Sequence, residues 1–174
     1  MTAERHAPRE EPVDLPTPSP TTKPFRVEWV RDANPESNRA VNRAGFDGNL
    51  GLMLEATTTH SQPSGLLLVR VDKSDQLQRR FGSPVVERLQ QRIGDVVQQA
   101  ARTDDLICRL APDWFAVLIP SVSPMAGARV AEAIRSAVRQ HPFRLDETGP
   151  ELIVTASFGY AVCLPGEPAS LPMD

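Results

Sequence analysis

Apolar positions change their spacing several times along this chain, and each change marks an element. Between residues 39 and 59, Val41, Phe46, Leu50, Met53 and Leu54 recur at helical spacing. Ser61 to Gly65 carries Pro63 and reads as a loop. The run Leu66-Leu67-Leu68-Val69 with Val71 is continuously apolar, as a buried central strand is. From Asp72 to Phe81 the pattern is polar and helical, and Gly82 stops it. Pro84 suits the first turn of a new helix, whose stripe Val85, Val86, Leu89, Ile93, Val96 and Val97 extends to about Arg102. Two short apolar runs, residues 105–110 and 115–119, flank Ala111 to Trp114 and predict a β-hairpin. An Ala-rich amphipathic helix spans 124–140, and a final strand spans 151–162. Phe25 to Val30 alternates weakly, as a lead-in strand or docking segment would. The order of elements predicts an α/β sandwich, with a mixed sheet and helices on its faces.

The ends differ in kind from the middle. Residues 1–24 hold Pro8, Pro12, Pro16, Pro18, Pro20 and Pro24 among acidic and hydroxyl residues, with too little apolar area to offset ordering, so a Pro-rich tail is expected. The domain is expected over 25–163, and a second tail over 164–174.

Composition narrows the function. The 174 residues carry a net charge of −3 and only 5% aromatics, which argues against nucleic-acid or anionic-membrane binding. Cys108 and Cys163 form no CxxC pair and have no metal-ligand spacing with His6, His60 and His141, so free thiols in a reducing compartment are expected. No stretch reads as a membrane span or signal peptide, and a cytoplasmic location is expected.

Several strings, in order, resemble the GGDEF (diguanylate cyclase) family. Asn42-Arg43 with Phe46 resembles its opening N-R-x-x-F, and Leu66 to Asp72 resembles its first core strand, which ends D-x-D. Phe81-Gly82 resembles the Y-G-H turn. Arg102 to Asp105, the strand after it and Ala111-Pro112-Asp113-Trp114-Phe115 resemble R-x-x-D, a strand and G-G-[DE]-E-F. His141-Pro142-Phe143 and Val154 to Gly159 resemble the later strings, the second being V-T-x-S-x-G. The resemblance implies a central, mostly antiparallel sheet of about five strands flanked by helices. The family's last helix has no counterpart here, so either the chain is cut short or that helix is lost.

The departures fall on the catalytic positions that the resemblance implies. The family holds two metal ions with the first aspartate of D-x-D and a carboxylate of the signature loop, and these neutralise triphosphate. Here Arg70 stands at the first aspartate, and Asp72 keeps the second. A fixed cation repels magnesium and cannot ligate it. Ala111 and Pro112 replace the loop glycines, Asp113 is kept, and Trp114 replaces the glutamate. Ser74-Asp75 replaces a Phe-Lys pair, and the guanine-reading positions hold Gln78 and Glu87, each one methylene longer. The expectation is no catalytic residue, no magnesium site and no cyclase activity.

The family's regulatory site, R-x-x-D, is matched by Arg102 and Asp105. An arginine fork clamps phosphate or a guanine Hoogsteen edge. The resemblance thus implies a cyclic di-GMP receptor, and it would accommodate a ligand-bridged homodimer. A plain helix-end ion pair is the alternative reading of the same two residues. The family's second arginine falls on Ala133, with Arg129 and Arg135 about one turn away as substitutes. Two other functions remain open. One is a protein-interaction module using Trp114 at the hairpin tip. The other is a GTP-binding regulatory domain of a larger phosphodiesterase protein.

Overall fold

A computed structural model describes residues 24–31, 40–144 and 151–166. Of the tails expected at 1–24 and 164–174, residues 1–23 and 167–174 lie outside the described residues.

The order is β1 (Val41–Asn42), α1 (Arg43–His60), β2 (Ser64–Val71), α2 (Ser74–Phe81), α3 (Ser83–Ala100), β3 (Leu106–Ala111), β4 (Trp114–Ile119), α4 (Pro124–Gln140), β5 (Phe143–Arg144), β6 (Glu151–Leu152) and β7 (Ala156–Cys163). Five strands form one sheet in the order β1-β3-β4-β2-β7, and β5 and β6 form a separate ribbon. Among the described residues, only the β1–β3 pair in the main sheet is parallel. The expected mixed, mostly antiparallel sheet with flanking helices is therefore present.

Side-chain alternation along β2 assigns the two faces. Leu67, Val69 and Val71 are buried with Leu89, Ile93 and Val97 of α3 and Ile134 and Val138 of α4. Phe46, Leu50 and Met53 of α1 cover the other face at Val41, Leu106, Cys108, Ala116 and Leu118, with Leu66 and Leu68 only partly buried. Local chemistry sets the ends. The Asn42 side chain accepts from the Gly45 N–H, and Ser123 caps α4 in the same way. Gly82 joins α2 to α3 at φ +80, where a side chain would be strained.

Two differences from the sequence pattern have a physical cause. The apolar run from residue 151 divides: β6 pairs with β5, and β7 begins only at Ala156, opposite Val71. The Phe25–Val30 segment is not a strand. It docks through side chains, and the α1 residue that receives it is polar.

One contact between α4 and β7 is unusually close. The Tyr160 hydroxyl occupies the space where a Cβ at Gly127 would stand, and a Cβ at Gly65 would come within 2.7 Å of it. That hydroxyl is buried and has no hydrogen-bond partner among the described residues.

Candidate functional site

Chemistry-bearing residues gather at two places, at opposite ends of the sheet. The first is the end where β2 meets the β3–β4 turn. Register places Arg70 directly beside Trp114 on β4 and Ser157 on β7, so the three share one face. The Arg70 guanidinium lies over the indole at 5.4 Å from the ring centroid. Its Nε stands 3.7 Å from a carboxylate oxygen of Asp113. The turn is tied to β2 by the Val71 N–H, which donates to the Asp113 carbonyl at 2.9 Å.

Asp72 faces the same group of charges. Its carboxylate accepts from the Ser157 hydroxyl at 2.7 Å. Burial alone would raise the Asp72 pKa, but hydrogen bonds from Ser157 and Thr155 and the charges of Arg70 and Lys73 outweigh it and hold the carboxyl below its ordinary value. Lys73, at φ +56, turns the chain into α2. A cavity of about 590 Å³ opens here, lined by Leu68, Arg70, Lys73, Arg79, Trp114 and Gly159 among others. Asp72 and Asp75 also line it, whereas Gln78 and Glu87 do not. Gln78 instead donates to the Ser83 hydroxyl at 3.0 Å across the α2–α3 turn, and Glu87 is exposed on α3. Among the described residues, no three His, Cys, Asp or Glu side chains are grouped to share a metal ion.

The second place is the turn between α3 and β3. The Asp105 side chain is fully buried, and that of Arg102 is 41% exposed. One Asp105 oxygen accepts from the Arg102 backbone N–H at 2.9 Å. The other accepts from Arg102 Nε at 3.0 Å and Nη2 at 2.8 Å. Nη2 also donates to the Pro120 carbonyl at 3.2 Å. The Asp105 N–H closes the turn on the Arg102 carbonyl at 3.1 Å. Arg102 and Asp105 are thus brought together as a fork and its buried anchor, with Nη1 left without a protein partner among the described residues.

The helix that was expected to supply a further cation divides its arginines. Arg129 lies four residues before Ala133, on the same stripe of α4, and is exposed. Arg135 lies on another flank and donates to Glu132 at 2.7 Å. Cys108 is buried under α1, and burial pushes its thiol up to about 12, which keeps it unreactive at neutral pH.

Three residues that sequence patterns did not single out touch the 102–105 turn or hold what touches it. Trp29 donates to the Asp104 carbonyl, Arg26 pairs with the Asp104 carboxylate, and Asn49 holds the Trp29 segment by its backbone. Asn49 carried a signal, being a polar residue inside the buried stripe of α1. Among the described residues, no helix is long and apolar enough to cross a membrane.

Comparison with known proteins places this architecture. Residues 39–171 match the family described as diguanylate cyclase, GGDEF domain. The uncharacterized protein YhcK of Bacillus subtilis is 34% identical over 137 residues. That match covers 76% of this chain and 37% of YhcK, so the chain spans little more than a third of its relative's length. The diguanylate cyclase SiaD of Pseudomonas aeruginosa, solved with its activator SiaC, superposes with a TM-score of 0.68 at 27% identity, covering 73% of this chain and 48% of SiaD. The GGDEF domain of DgcB from Caulobacter crescentus, solved with c-di-GMP, shares the fold with a TM-score of 0.69 at 22% identity, covering 74% of this chain and 73% of that one.

Proposed function

The chain belongs to the GGDEF family, and from that premise we propose that it is a non-catalytic member serving as a receptor for cyclic di-GMP through Arg102 and Asp105. The non-catalytic half is carried by one observation, the Arg70 guanidinium stacked on Trp114 and paired with Asp113. Magnesium needs hard oxygen donors in near-octahedral order. In this set Asp113 is engaged by Arg70, Asp72 is engaged by Ser157, and the β2 position two residues before Asp72 is the cationic Arg70. These residues do not fit a pair of divalent ions.

The receptor half is supported by the way Asp105 holds Arg102. An arginine fixed at Nε and Nη2 keeps its plane and presents its remaining edge, which lowers the entropy lost when phosphate or a guanine edge docks. Arg129 is the better second cation, because it shares the stripe of Ala133 and forms no ion pair among the described residues. The DgcB complex with c-di-GMP makes the ligand a fitting one for the family.

Isothermal titration with cyclic di-GMP tests this reading. Wild type is expected to give saturable heat, and Arg102→Lys, which keeps the charge but loses the fork, to bind about tenfold more weakly or worse. Absence of heat with wild type, or equal affinity in the lysine variant, would overturn it.

A second reading rests on the cavity beside Trp114. A half-exposed tryptophan next to a 590 Å³ recess is the kind of surface that anchors a protein partner. It expects Trp114→Ala to abolish recovery of a signalling partner that wild type retains, and undiminished recovery counts against it.

A further inference from the structure

Residues 24–31 run across α1 and end their contacts on the 102–105 turn. Phe25 is buried, and its ring stacks on His60, the last residue of α1, at 5.1 Å between centroids and 8° between planes. Asn49, 1% exposed in the middle of α1, takes the backbone of Val30 with both ends of its amide. Its Oδ1 accepts from the Val30 N–H at 2.9 Å, and its Nδ2 donates to the Val30 carbonyl at 2.8 Å. A side-chain amide is thus doing for this segment what a neighbouring strand does elsewhere. Trp29 packs against the α1 cluster and donates its Nε1–H to the Asp104 carbonyl at 2.9 Å. Arg26 adds an exposed pair with the Asp104 carboxylate at 3.5 Å.

The Asp104 carbonyl and the Asp105 N–H belong to one rigid peptide unit. Trp29 holds the carbonyl side of that unit, and the Arg102 carbonyl holds the N–H side. Turning the peptide breaks both bonds at once. It would also move the Asp105 carboxylate that anchors the Arg102 fork.

We infer that residues 24–31 are a regulatory strap: docking of this segment through Phe25, Trp29 and Asn49 holds the Arg102–Asp105 clamp in its binding geometry, so strap docking and ligand binding at that turn are positively coupled. The inference rests on the receptor reading above for its ligand, but the mechanical link stands on the shared peptide. Linkage makes the coupling reciprocal. Ligand at Arg102 tightens the strap, and whatever pulls the strap away loosens the ligand. A pull on the chain before Pro24 would therefore be read at the ligand site.

The test uses the full chain and two variants. Trp29→Phe keeps a smaller aromatic body against α1 and removes the N–H bond to Asp104. Asn49→Ala loosens the strap at a point that touches neither the turn nor the ligand. Both are expected to weaken cyclic di-GMP binding by about fivefold or more, and both to speed hydrogen exchange at the Asp105 amide, with helix amides of α3 unchanged. Saturating cyclic di-GMP is expected to slow exchange across residues 25–31 of wild type. Unchanged affinity in both variants, or unchanged exchange at Asp105, overturns the strap. Should wild type bind no cyclic di-GMP, the receptor reading fails alone, and exchange at Asp105 in Trp29→Phe then decides the strap by itself: faster supports it, unchanged overturns it.

Discussion

Replacing Arg102 by alanine is expected to destabilise the domain by about 3 kcal/mol and to lower its thermal midpoint by roughly 6 to 12 °C. The reason lies in Asp105, whose side chain is fully buried. Its carboxylate accepts three hydrogen bonds from Arg102, and the alanine variant leaves one, from the backbone N–H at 2.9 Å. An anion left buried without its partner typically costs 3–5 kcal/mol, and the partly exposed rim around Arg102, where water can enter, argues for about the lower figure. Arg135 provides the control. It also pairs three residues away, with Glu132, but both side chains are exposed, at 45% and 60%. Arg135→Ala is therefore expected to leave stability essentially unchanged, because solvent screens an exposed pair. Denaturant unfolding of the two variants measures the difference. If Arg102→Ala proves no more harmful than Arg135→Ala, the turn is an ordinary surface ion pair. The expected loss is also why the binding experiment uses lysine at this position.

The second large effect concerns the cavity. The double substitution Arg70→Asp with Trp114→Glu is expected to make stability depend on magnesium, whereas wild type melts identically with magnesium and with chelator. Two new carboxylates would face Asp72 and Asp113 at one end of β2. Like charges so placed repel and favour any divalent ion that bridges them. At magnesium concentrations about a hundredfold above its dissociation constant the gain would be about 2.7 kcal/mol. Cyclase activity is not expected to return, because Pro112 still lacks its N–H and Asp75 still opposes a phosphate. A double variant indifferent to magnesium, or a wild type that responds to it, would remove the physical basis for calling Arg70 a replaced metal position.

Much of this arrangement was legible in the residue pattern. The stripe of α3 repeats its helical period over several turns, and the run of β2 is short and apolar between a Pro- and Gly-bearing loop and a polar stretch, so each marks its element. The pairing that sets Arg70 beside Trp114 was not legible, because neither the hairpin nor the run before it fixes the register between β2 and β4. Two-residue strands were not legible: β5 and β6 are too short to show any period, and the apolar stretch that contains β6 continues into β7. The strap was half legible. Weak alternation from Phe25 to Val30 read equally as a lead-in strand or a docking segment, and its receptor is Asn49, a polar residue on an apolar stripe, whose break in the period shows no partner. The inward face of Asp105 was invisible in the same way, because a single acidic residue after a helix looks alike whether buried or solvated.

Gly127 carries a different lesson, one for protein engineering. A glycine inside a helix costs about 1 kcal/mol relative to alanine, so a designer seeking a sturdier α4 would start there. Tyr160 makes that repair self-defeating, since its ring and hydroxyl fill the volume an alanine methyl would need. Trimming the hydroxyl alone would not suffice, because the ring carbon that bears it is also within clash distance of the new methyl. The two positions form one unit of redesign: helix propensity at 127 can be raised only together with a smaller residue at 160.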